Sequence, residues 1–194
     1  MRRPGPKPRR HSNRGGSLDR DRVTLMQPVK RFTTAYDPAQ DRVRIMLEQA
    51  DASVHVLWLT RRLLVRLVPE IVKILTTLPK LRADASPGSN VEQGRSQMGA
   101  IGQIAPQAPV GYQEAETETL VSSMRARLTR QAVLIDFKDG EQTLQTLTFG
   151  ETTLRQWLAV LHQNFHYAGW KDDIWPTWIS VKAAQGEDGS IRLN

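Results

Sequence analysis

His162 and His166 stand four residues apart in "LRQWLAVLHQNFHYAGW" (154–170), a spacing that puts two imidazoles on one helix face, where they can share a metal ion. Asp172 and Asp173 follow and offer carboxylates, as further ligands or as a general acid/base pair. The constellation stops there. No third ligand is placed, adjacent aspartates point different ways, and histidines flanking an apolar stripe are ordinary boundary residues. Cysteine is absent, which removes disulfides, thiolate metal sites and cysteine nucleophiles. The chain has no phosphate-binding glycine loop, no G-x-S-x-G elbow and no H-E-x-x-H. Arg62, Arg66 and Lys73 form a basic stripe with Glu70 placed to pair Arg66, the pattern of a solvated helix face. The expectation is a protein that is not an enzyme, with no cofactor and no bound metal.

Bulky apolar surface is concentrated instead in "HYAGWKDDIWPTWI" (166–179). Gly169 suits the left-handed position that ends a helix, so Trp170 is expected to fold back on that helix as core. Trp175 and Trp178 flank Pro176, which lacks the donor that a central strand position needs. With Tyr167 they are the candidate protein-binding residues, because tryptophan and tyrosine are enriched at interface hot spots. Base stacking is a poorer fit: only Lys171 interleaves these rings, opposed by Asp172 and Asp173.

The net charge of +7 looks like a nucleic-acid signal until it is divided along the chain. Residues 1–25 hold eight basic residues, Arg2, Arg3, Lys7, Arg9, Arg10, Arg14, Arg20 and Arg22, against Asp19 and Asp21. The remaining 19 basic and 18 acidic residues nearly cancel. Only the tail has an electrostatic reason to meet phosphate, and Arg2, Arg3, Lys7, Arg9, Arg10 and Arg14 are the candidate nucleic-acid-binding residues. Met26 is an alternative start. No apolar run reaches the roughly 18–20 residues that span a bilayer, and the charged N-terminus has no apolar stretch behind it. A cytoplasmic location is expected, with no membrane partner.

The elements that must carry these groups fall into two similar stretches. In the first, "RFTTAY", "RVRIMLE" and "VHVLWLT" read as strands separated by the turns "DPAQD" and "QADAS". Thr60 can cap a helix that begins "RRLLVRLV", and Pro69 is expected to kink it or to start a second one. In the second, "AVLIDF" and "QTLQTLTF" read as strands around "KDGE", and a helix follows from about Leu154, capped by Thr152 or Thr153. The preceding "LVSSMRARLTR" fits strand or helix. Sliding the chain by 90 residues lays Leu64, Leu67, Val68, Ile71 and Leu75 on Leu154, Trp157, Leu158, Leu161 and Phe165. The same shift lays Val43, Ile45 and Leu47 on Val133, Ile135 and Phe137. Arg155 and Gln156 fall on the opposite, solvent-facing side of the second helix.

The expected fold class is α+β: two βββα-like units, antiparallel strands followed by a helix, packed together; a β-sandwich head with edge helices is the alternative. The boundaries are a disordered basic tail (1–25), a first unit (26–78), a flexible linker or long loop rich in Pro, Gly, Ser and Gln (79–115), a second unit (116–182) and a C-terminal tail (183–194). Each unit, at about 50 residues, is too small to be secure alone, so mutual packing is expected. The functional expectation is an interaction or assembly subunit that binds another protein or itself. The alternative is an accessory nucleic-acid-binding protein that uses the tail.

Overall fold

The computed structural model describes residues 28–81, 90–105, 107–171, 173–179 and 192–193. The basic tail, Asp172 and most of residues 183–194 lie outside the described residues. In the first unit β1 (Val29–Asp37), β2 (Arg42–Gln49) and β3 (Val54–Leu59) pair antiparallel in sequence order and lead into α1 (Arg61–Leu81). In the second, β5 (Ser123–Leu128), β6 (Val133–Asp139) and β7 (Gln142–Phe149) do the same and lead into α3 (Glu151–Tyr167). The ambiguous "LVSSMRARLTR" is therefore a strand in its middle. The fold is α+β, two β–β–β–α successions with three α-helices among the described residues.

Local chemistry explains the joints. Asp37 Oδ1 accepts the N–H groups of Ala39 and Gln40, closing the turn between β1 and β2. Thr60 Oγ1 accepts the Leu63 N–H at 3.4 Å at the start of α1. Pro69 neither ends nor restarts α1, which runs through it. α3 begins three residues earlier than expected: Gly150 is its N-cap and neither threonine caps it. Gly169, with φ at 62°, ends it as the sequence indicated. Trp170 donates its backbone N–H to the Phe165 carbonyl and Gly169 donates to that of His166, while the Trp170 and Phe165 rings meet edge-on at 5.0 Å.

One hydrophobic core serves both units. The stripe Leu64, Leu67, Val68, Ile71 and Leu75 and its counterpart Leu154, Trp157, Leu158, Leu161 and Phe165 are all 2% exposed or less. α1 packs against β5 and α3 against β1, so each unit's helix lies on the first strand of the other. The exchange explains why neither half need be stable alone: each supplies the cover for its neighbour's apolar face.

Three features depart from the sequence expectation. The stretch 79–115 is not a structureless linker throughout, since Asn90–Ile101 forms α2, packed on α3. A fourth strand of the first sheet, β4 (Ala115–Leu120), runs parallel to β3 at its edge. Finally, Arg192–Leu193 near the C-terminus, β8, pairs antiparallel with β1 on its outer side. Among the described residues no helix is long and apolar enough to cross a membrane.

Candidate functional site

α2 is built inside out relative to an ordinary surface helix. Its buried residues are Gln93, Gln97 and Ala100, while Val91 and Met98 are 65% and 64% exposed. Seven residues separate Val91 from Met98, two helical turns, so the two apolar side chains share one outward face. The inward glutamines are retained by hydrogen bonds to α3. Gln97 Nε2 donates to the Arg155 carbonyl, Gln156 Nε2 donates to the Ala100 carbonyl, and Arg155 Nη2 donates to Gln93 Oε1, each at 2.8 Å. Burying amides is tolerable only when their bonds are made, and here most are.

Arg155 is the centre of this interface. Its side chain is 2% exposed, it pairs with Glu151 one turn earlier at 3.2 Å, and its guanidinium lies 5.6 Å from the Trp178 ring centroid. Burial pushes the guanidinium pKa down and Glu151 opposes that shift. The solvent-facing assignment of Arg155 and Gln156 is thus overturned. α2 covers that side of α3, and a helix covered on both sides shows no apolar stripe on the side that meets amides.

The aromatic segment is mostly interior. Trp170 is buried as expected, and its indole N–H donates to Asp41 Oδ1 at 2.9 Å. Trp178, expected at a presented surface, is 6% exposed in the short turn Thr177–Ile179 that packs on α2. Its ring belongs to the hydrophobic core, and α2 covers the turn that carries it. Trp175 is half-buried, with its ring edge-on to His162 and Phe165 at 5.0 and 5.2 Å. Of the three proposed protein-binding residues only Tyr167 stands in solvent, at 52% exposure. The six basic candidates of the tail lie outside the described residues.

Several titratable groups are held in structural contacts. His162 packs on Trp175, His166 is exposed, and no cluster of three metal-ligating side chains occurs among the described residues. Arg31 and Lys30 hold the Glu48 carboxyl below its usual range. Arg127 grips Asp136 with two nitrogens at 2.7 and 2.8 Å and, with Thr146, lowers its pKa. Asp51 is lowered by the Ser53 hydroxyl and backbone. Tyr36 is raised by its hydrogen bond to Asp41, and Tyr112 by its bond to Glu118. Arg62, Arg66, Glu70 and Lys73 are exposed on α1. Among the described residues the exposed large hydrophobic side chains are Val91, Met98, Tyr167, Leu120 at the end of β4, 46% exposed, and Leu128, 36% exposed.

Comparison with protein families, with curated proteins and with solved structures finds no match to this chain.

Proposed function

We propose that the chain is a non-enzymatic interaction or assembly subunit, and that the outward face of α2 is its principal docking surface. One observation carries this reading: α2 buries glutamines and exposes Val91 and Met98. A helix free of partners gains nothing from that inversion, since exposed apolar area is stabilised only when something removes it from water. Tyr167 is a second exposed contact point, whereas Trp178 acts from beneath by supporting α2. The capture of acids and bases in ion pairs and turns supports the same reading. A cytoplasmic setting, and treatment of the two β–β–β–α successions as a structural repeat, belong to this proposal. α1 and α3 begin at Arg61 and Glu151, 90 residues apart, and β3 and β7 end at Leu59 and Phe149, again 90 apart.

The second reading, accessory nucleic-acid binding through Arg2, Arg3, Lys7, Arg9, Arg10 and Arg14, is favoured by the concentration of net charge in residues 1–25. The two are separated by comparing the full chain with one that starts at Met26. Docking through α2 predicts that the shorter chain captures the same protein partner from the native source. The nucleic-acid reading predicts loss of salt-dependent duplex binding and of that capture with it. Capture lost on removal of the tail alone would reject α2 as the principal surface.

A further inference from the structure

Among the described residues, the outer side of β1 is closed, partly covered and open along successive thirds. Peptide groups alternate sides along a strand, so from Arg31 to Asp37 every second residue of β1 turns its N–H and C=O away from β2, while between Val29 and Arg31 the pairing with β2 is irregular. At Tyr36 the backbone N–H is taken by Asn164 Oδ1 at 2.8 Å, which stops the ladder at that end. At Phe32 and Thr33 the chain's own Leu193 and Arg192 pair with the edge. Toward Val29 lies a groove of about 440 Å³ between β1 and β7, lined by Val29, Phe32, Gln145, Leu147, Thr148 and Thr153. The antiparallel register sets the direction. A strand that continued past the position of Leu193 would run toward Val29, into the groove.

We propose that the outer edge of β1 is a strand-addition site for an extended segment of a partner protein, which replaces Arg192–Leu193 and continues into the groove beside β7. This rests on the reading of the chain as an interaction subunit and names a second mode of contact for it. Such sites take affinity from main-chain hydrogen bonds and selectivity from alternate side chains. The occupant is therefore extended, about six residues long, apolar at alternate positions to meet Val29, Phe32 and Leu147, and polar but not basic where it passes Lys30 and Arg31. The chain's own Ile191, Arg192 and Leu193 have that alternation. Two residue pairs make a short ladder, and residues 180–191 tether it to Ile179, which raises its effective concentration to the order of millimolar. A longer strand offers more pairs and outcompetes it; a strand of equal length does not.

The test uses the labelled peptide GSIRLNVT, the chain's residues 189–194 with two residues added to reach the groove, and fluorescence anisotropy. The peptide binds the full chain, and binds the Leu193→Pro chain about tenfold more tightly, because the proline removes the competing strand's N–H. Leu193→Gly, which weakens the strand but keeps the N–H, falls between them. Hydrogen exchange then shows the β1 amides near Phe32 slowed by the peptide. Equal affinity for all three chains, or no binding to either variant with the thermal melt unchanged, overturns the proposal. In that event capture through Val91 and Met98, if retained, leaves the interaction reading standing.

Discussion

Trp157 donates its indole N–H to Thr34 Oγ1 at 3.0 Å, joining the middle of α3 to the middle of β1 across 123 residues of chain. Both residues are buried, and the Trp157 ring stacks on Phe149 at 5.1 Å, itself edge-on to Phe32. The bond fixes the second unit's helix on the first unit's sheet. Trp157→Phe keeps an aromatic ring but leaves Thr34 without its donor, and costs about 1–3 kcal/mol. Trp157→Ala costs about 3–5 kcal/mol through the cavity it opens. Urea denaturation midpoints give both values.

Arg155→Ala is expected to lose about 2 kcal/mol or more, because Gln93 is left with a buried, unpartnered oxygen. A solvent-facing residue would lose less than about 0.5 kcal/mol. Arg155→Met keeps the stem and removes a buried charge whose Nη1 has no partner, so it loses less than Arg155→Ala. Chemical denaturation of the two variants orders them.

These two sites mark where the sequence was legible and where it was not. Apolar side chains at period two and at helical spacing declared β2, β6, α1 and α3, and Gly169 declared an end, because each signal is local. α2 carried no such signal. Gln93 and Gln97 are inward for reasons that exist only once Arg155 and Gln156 face them, and no window of one segment contains both sides. β4 was hidden likewise: Glu116 and Glu118 are charged edge residues, and edges are charged to discourage pairing. Trp178 is interior because α2 covers it, and α2 leaves no apolar period in the sequence. With Trp178 inside, the exposed apolar face is that of Val91 and Met98 on α2.

Stability should fall in acid through Asp136. Arg127 depresses its pKa in the folded state, so the stabilisation is fully present above the ordinary carboxylate range near pH 4 and is lost as pH drops through the depressed value. Asp136→Asn lacks this contribution. The gap in denaturant midpoint between the two proteins should stay constant from neutral pH to about pH 4 and shrink below it.

Tryptophan emission should be blue-shifted and largely resistant to iodide, since Trp58, Trp157, Trp170 and Trp178 are each 8% exposed or less. Trp178→Ala should cost about 3–5 kcal/mol and loosen α2, measured as faster amide exchange at Gln93 and Gln97. A Trp178→Ala chain of unchanged stability would return this residue to the surface.

The α2 face is tested most directly by affinity capture from the native source with the full chain and with its Val91→Asp, Met98→Asp double variant, each paired with a thermal melt. Both positions are exposed, so the variant should keep its stability within about 0.5 kcal/mol per site. The partner recovered by the full chain should be missing from the variant. The same partner recovered equally by both, with matching melts, would contradict docking through α2.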